Sequence, residues 1–191
     1  MKFSRFSRNL VAGASLLGMS LFAGGESAEA ATETANLTVD ATVAAACNIA
    51  TTPVNFGNYL ALTTHATANL DNSSGSVDLE CAAGLPIAVR LGQGSNPGGG
   101  STDASPVRRM AGPAAGDWLN YQLYSDSSYT TVWGNDGTSD VDTDPVGGGP
   151  LLGQGAGAGN VISLTIYGRV PSGQSPNAGA YSDTVVAAVD F

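Results

Sequence analysis

Few side chains in this sequence could carry out covalent or acid–base chemistry. There are two cysteines, Cys47 and Cys81, one histidine, His65, and one lysine, Lys2. His65 stands in a Thr-rich stretch with no second ligand beside it, neither cysteine belongs to a Cys-x-x-Cys pair, and no Gly-x-Ser-x-Gly occurs. A zinc site or a nucleophile–base pair therefore has no support in the spacing. The run Gly153-Gln154-Gly155-Ala156-Gly157 is only superficially a phosphate loop, because Asn160 fills the last place of the nearest Gly-x-Gly-x-x-Gly frame. Asp136, Asp140, Asp142 and Asp144 offer oxygen-rich spacing suited to calcium. Pro145, however, stands where an EF-hand loop needs Gly, and no Glu holds the twelfth position. A casual calcium site or a solvated hairpin tip both fit that stretch. Trp118, Tyr121, Tyr124, Tyr129 and Trp133 could stack against a sugar ring, or simply pack within a sheet. The expectation is a protein that is not an enzyme and needs no cofactor.

The elements that would position these groups begin with a targeting segment. Lys2, Arg5 and Arg8 form a basic n-region, Leu10 to Ala23 an apolar run, and Ala28-Glu29-Ala30 a small-residue cleavage site. Residues 1–30 thus read as a signal peptide cleaved after Ala30. The apolar run is too short for a spanning helix, which needs about 20 residues. Removing this segment leaves four basic and fourteen acidic residues and no lysine. So acidic a chain is poorly suited to neutralise nucleic-acid phosphates or to bind anionic lipid. Export also places Cys47 and Cys81 in an oxidising compartment, where pairing with each other is the expectation. Closing a loop of roughly 35 residues would stabilise the fold by about 3 to 4 kcal/mol.

Residues 36–44 alternate strictly, with Leu37, Val39, Ala41 and Val43 on one face and Thr38, Asp40 and Thr42 on the other. That pattern predicts a half-buried strand. Further strands are predicted at 53–56, 76–81, 87–91, 119–124, 130–133, 161–170 and 181–191, separated by Gly-, Asp- and Ser-rich loops at 92–105, 134–149 and 153–159. No helix longer than a turn is predicted. With 26 glycines, 42% hydrophobic residues and 12% charged ones, the composition suits one antiparallel sandwich with a single core. In the last strand Tyr181, Val185, Ala187, Val189 and Phe191 share a face, and the sequence ends there. An apolar edge with no following strand recruits another strand. Segment 36–44 is complementary to such an edge. It could equally pair within its own sheet as an ordinary first strand.

Several motifs point further: Tyr121-Gln122-Leu123-Tyr124-Ser125-Asp126, Trp133-Gly134, Tyr167-Gly168-Arg169-Val170-Pro171-Ser172-Gly173-Gln174, and Gly179-Ala180-Tyr181-Ser182-Asp183-Thr184-Val185 running to Val189-Asp190-Phe191. Together they resemble the spore coat protein U family, which includes pilin subunits of archaic chaperone-usher pili of the Csu type. The resemblance covers essentially the whole mature chain. It implies an all-β, incomplete immunoglobulin-like antiparallel β-sandwich lacking its last strand, completed by a donor strand from a chaperone or another subunit. On that resemblance, residues 31–44 are the donor segment and 45–191 the pilin-like domain. Leu37, Val39, Ala41 and Val43 would be donor plugs, while Val185, Ala187, Val189 and Phe191 would line the acceptor groove. Cys47 and Cys81 match the family's disulfide. The implied partners are a periplasmic chaperone, an outer-membrane usher and neighbouring pilins. The implied place is the periplasm in transit and then an extracellular pilus used in attachment or biofilm formation. A shaft or adaptor role fits one domain. A spore or cyst coat protein of the same family, or a secreted carbohydrate-binding module, is the alternative.

Overall fold

The computed structural model describes residues 32–135, 141–142, 157 and 159–191. The predicted signal peptide, the loop Gly153–Gly157 apart from Gly157 itself, and Asp136, Asp140 and Asp144 of the acidic stretch lie outside the described residues. The chain divides into two units, one ending at Ala41 and one spanning Thr42–Phe191. In the first, residues 32–41 lie outside any strand and are exposed throughout.

The second unit is an antiparallel β-sandwich. Its strands are β1 (Cys47–Thr52), β2 (Leu70–Cys81), β3 (Ala88–Leu91), β4 (Arg108–Ala111), β5 (Trp118–Tyr124), β6 (Val141–Asp142), β7 (Ile162–Val170) and β8 (Ala187–Asp190). One sheet has the order β1-β2-β7-β5-β4 and the other β6-β3-β8. Burial follows the two-residue period of a pleated strand. Val77, Leu79 and Cys81 of β2 face inward, as do Val89 and Leu91 of β3, Leu119, Tyr121 and Leu123 of β5, and Leu164, Ile166 and Val170 of β7. These side chains and the fully buried Trp133 form one core. Each buried Val or Leu contributes about 1.5 to 3 kcal/mol of transfer free energy.

The strands predicted at 76–81, 87–91, 119–124 and 161–170 are present within a residue or so, except that β2 starts six residues early. Four expectations need correction. Segment 36–44 is not a half-buried strand; alternation produces one only where a surface covers the apolar face. Residues 53–56 form no strand but lie across β7, where Gly168 leaves room for Val54 and Phe56. Residues 130–133 contribute one bridge, between Val132 and Tyr124, before Trp133 dives into the core. In the stretch 181–191 only 187–190 is a strand, preceded by a bridge from Ser182 to Ala111. Strands β1, β4 and β6 were not predicted. The largely exposed β1 has no alternation to show.

Cys47 lies directly opposite Cys81 in the β1–β2 ladder, with Cα atoms 4.1 Å apart, and the two form a disulfide. The Ala82 N–H donates to the Ala46 carbonyl at 2.9 Å, next to this pair. The disulfide thus ties edge strand β1 to the core strand β2.

Candidate functional site

An apolar cleft runs beside the C-terminal stretch. One wall is residues 176–187; the other is the end of β1 and the irregular segment 53–62. The upper compartment, about 360 Å³, lies between Thr51–Phe56 and Tyr181–Ala187, with Leu91, Leu123 and Ile166 of the core at its floor. The lower compartment, about 990 Å³, is wider and reaches Leu60, Leu62, Leu70, Leu119 and Val170. Val54, Phe56, Met110 and Tyr181 line both compartments. β8 pairs with β3 on one side only, and its other edge has no ladder partner among the described residues. The cleft therefore lies beside one edge of β8 and is walled by the half-buried Val54, Phe56, Met110, Tyr181 and Val185, over core side chains that are already covered.

Local polar bonds fasten the wall formed by residues 53–59 to the rest of the sandwich. A register shift in the β2–β7 ladder between Asn72 and Gly75 marks a bulge. From it the Asn72 side chain donates to the Asn55 carbonyl at 2.9 Å and accepts from the Ser74 N–H at 2.7 Å. The segment 53–57 is thereby fixed to the sheet. Lower down, the Tyr59 hydroxyl donates towards the carbonyls of Pro171 at 3.0 Å and His65 at 3.2 Å, and accepts from the Gln174 N–H at 3.1 Å. The Gln174 amide both donates to and accepts from the Asn120 main chain, at 3.0 and 2.8 Å. It imitates a further strand along β5.

His65, the only histidine, is a structural residue in the 3-10 turn Thr64–Ala66. It is buried, stacks on Tyr59 with ring centroids 5.0 Å apart, and its Nδ1 lies 3.1 Å from the Ala68 carbonyl. A carbonyl can only accept, so Nδ1 carries the proton.

Beside the upper compartment lies Arg108, which is 1% exposed. Its guanidinium donates to the carbonyls of Leu91, Gly92 and Trp133 and to the Gln122 amide oxygen, at 2.6 to 2.9 Å. Desolvation lowers its pKa to about 10, with Tyr121 and Asp183 acting electrostatically in the other direction, so it remains charged at neutral pH. Trp133 Nε1 donates to the Val89 carbonyl at 2.9 Å. Tyr121 donates its hydroxyl to Asp183 at 2.7 Å; burial first, and then that bond, push its ionisation far above the usual tyrosine range.

The residues singled out in the sequence that the structure describes now have a place. Val185, Ala187 and Val189 are half-buried and pack on the core from the cleft wall and β8. Phe191 lies past the end of β8 and is 55% exposed. Leu37, Val39 and Val43 are 87, 82 and 89% exposed, and Ala41 is exposed with them. The five aromatics proposed as a sugar platform are not brought onto one face. Trp133 and Tyr121 are buried, and Trp118 lies under the Arg109 guanidinium at 4.2 Å. Tyr124 packs edge-on against Tyr129. Sequence reasoning missed Arg108 and the wall formed by Pro53, Val54, Phe56 and Met110. An arginine one strand away from Tyr121-Gln122 shows no sign of burial, and Val54 and Phe56 carry no long-range signal at all.

These features define a disulfide-closed antiparallel sandwich whose cleft is made of apolar core side chains rather than of acid–base groups. Residues 33–188 match the Spore Coat Protein U domain, and the chain belongs to that family. It is 39% identical over 169 residues to Protein U of Myxococcus xanthus, covering 86% of this chain and 88% of that protein. Among solved structures it is similar to the CsuC–CsuE chaperone–tip adhesion subunit pre-assembly complex from archaic chaperone-usher Csu pili of Acinetobacter baumannii. That similarity has a TM-score of 0.50 at 23% identity over 78% of this chain. The chain spans about two fifths of the length of that structure's chain. The likeness establishes the fold, an immunoglobulin-like antiparallel sandwich.

Proposed function

We propose that the protein is a structural subunit, shaft or adaptor, of an extracellular chaperone-usher pilus, polymerising head-to-tail by donor-strand complementation. The observation that carries this reading is the core-lined cleft beside the one-sided strand β8. In this scheme the segment 31–44 of one copy enters the cleft of the next. Leu37, Val39, Ala41 and Val43 point inward against Val185, Ala187, Val189 and Phe191. Strand addition supplies main-chain hydrogen bonds along β8, and alternating pockets set the register. Each Val or Leu plug that passes from exposed to buried contributes about 1.5 to 3 kcal/mol. A head-to-tail contact of this kind is heterologous and need not close, so repetition gives an open fibre. Before assembly a periplasmic chaperone would lend the missing strand, and an outer-membrane usher would pass subunits to the cell surface after removal of residues 1–30. Attachment and biofilm formation are the roles such a fibre would serve.

A second reading is favoured by the family match itself: a coat protein that uses the same strand exchange on a spore or cyst surface. Both readings stand or fall on the cleft. The test compares the melting temperature of residues 31–191 in native order with that of residues 45–191 carrying 31–44 after Phe191 through a short linker. A rearranged chain that is monomeric and melts much higher, while the native order polymerises or is unstable, supports strand acceptance. Equal, monomeric stability of both orders overturns it.

A further inference from the structure

The C-terminal wall of the cleft is held in an unusual way. Ser182 is bridged to Ala111, by bonds of 2.8 and 3.0 Å, and residues 187–190 are laddered to β3. Between these points, residues 183–186 have no strand beside them, because the chain turns away after Leu91 into the loop 92–98. One carboxylate spans much of the gap. Asp183 accepts from the Tyr121 hydroxyl at 2.7 Å through Oδ2, and from the Ser95 N–H at 2.9 Å and the Asn96 side-chain amide at 3.0 Å through Oδ1. The Ser95 hydroxyl adds a bond to the Thr184 carbonyl at 3.1 Å, and the Gly92 N–H one to the Val186 carbonyl at 2.9 Å. Gly94 has φ +86°, and a Cβ there would run into the Asp183 carboxylate. The loop approaches this closely only because residue 94 has no side chain.

We infer that Asp183 is a positioning residue that holds residues 182–186 in the strand-accepting arrangement while the cleft is empty. This rests on the reading of the cleft as a strand acceptor. Tyr181 and Val185 flank Asp183 on the cleft wall, beside a floor of Leu91, Leu123 and Ile166. Without the clamp, the apolar gain of burying their own half-exposed surface draws Tyr181 and Val185 inward and fills the upper compartment from within. An incoming strand then meets a collapsed groove. Apparent affinity falls in proportion to the fraction of molecules still open. Once a strand is in place, its own main-chain bonds to residues 182–186 replace the clamp, so Asp183 matters most before insertion and least after it.

The test uses the full chain carrying Val39→Asp, which keeps it from donating its own strand, with a fluorescent peptide of residues 32–45 as the probe. Asp183→Ala removes all three acceptor contacts. Tyr121→Phe keeps the core filled but removes one bond, and Gly94→Ala displaces the carboxylate without altering it. Amide hydrogen exchange on the empty chain is expected to show lost protection at the donating amides of Gly92, Ser95 and Ser182 in all three, strongest in Asp183→Ala, with β2 and β7 unchanged. Peptide uptake by Asp183→Ala is expected to slow about tenfold if one molecule in ten stays open. The melting temperature of the chain with its donor fused after Phe191 should barely move. A merely structural role would lower the fused and empty forms alike, and that result overturns the inference. So does unchanged exchange at Gly92, Ser95 and Ser182 in all three variants, or wild-type uptake by Asp183→Ala. Absence of uptake by the Asp183-intact chain overturns the acceptor reading instead, so the two failures are read on different samples.

Discussion

The two flanks of the sandwich are finished in opposite ways. Where β3, β4 and β5 meet, Arg108 and Trp133 consume the free carbonyls of Leu91, Gly92 and Val89, leaving a sealed, polar-satisfied junction. Where β1 and β8 approach, apolar side chains line a cleft, and an edge of β8 has no ladder partner among the described residues. The first flank stabilises the single chain. The second leaves half-buried apolar side chains along its walls. The contrast shows how one domain can match the polar groups of one region internally and leave the apolar groups of another only partly covered.

The largest effect should come from breaking the sealed flank. Arg108→Ala leaves the carbonyls of Leu91, Gly92 and Trp133 without this donor, and each buried acceptor left unpaired costs about 1 to 3 kcal/mol. Urea unfolding should show it as a lower midpoint. Next is the disulfide at the open flank: replacing Cys47 and Cys81 by Ala should lose about 3 to 4 kcal/mol and free β1, which forms part of the cleft wall. A reducing agent in the wild type should have the same effect on thermal midpoint.

A smaller effect is pH-dependent. Tyr121 has its ionisation raised far above 10 in the folded state by burial and by its bond to Asp183. The unfolded chain therefore releases this proton first as pH rises past 10, and the stability it provides, complete below that pH, is lost above it. The slope approaches about 1.4 kcal/mol per pH unit for one such group. Arg108, lowered to about 10, acts in the opposite sense over the same range, because the unfolded chain keeps that proton longer. The clean measurement is the difference: Tyr121→Phe should flatten the alkaline fall in melting temperature relative to wild type.

The smallest effect on the isolated chain sharpens the comparison most. Val39→Asp changes a residue that is 82% exposed, so unfolding free energy should stay within about 0.5 kcal/mol of wild type. Assembly, read by sedimentation or electron microscopy, should disappear. Normal fibres from this variant would mean that Val39 is not a plug.

Much of the sandwich was legible beforehand because its inner strands bury alternate residues. Val77, Leu79 and Cys81 in β2, and Leu164 and Ile166 in β7, announce a pleat facing a core. Segment 36–44 shows the same alternation without forming a strand, because alternation says nothing about which surface covers it. Strands β1 and β4 were not legible. Cys47–Thr52 is exposed along most of its length, and Arg108-Arg109-Met110-Ala111 reads as a charged loop until Arg108 is seen buried among carbonyls. The irregular wall 53–56 looked like a strand because Pro53, Val54 and Phe56 are apolar, and its burial is against a neighbouring sheet rather than within one.

The sequence by itself determined the class of protein, the strand periodicity, the acidic and lysine-free balance after residue 30, and the two cysteines available to each other. These are properties of residue type and local spacing, which the covalent chain carries without reference to distant parts. Only the tertiary structure decided that Cys47 and Cys81 face each other across one ladder, that Arg108 seals one flank, that Asp183 ties the last segment to the loop at Ser95 and to Tyr121, and that the cleft lies between residues 53–62 and 176–187. Those facts depend on main-chain carbonyls and side chains brought together from more than a hundred residues apart, and no local pattern records which carbonyl a buried side chain will meet.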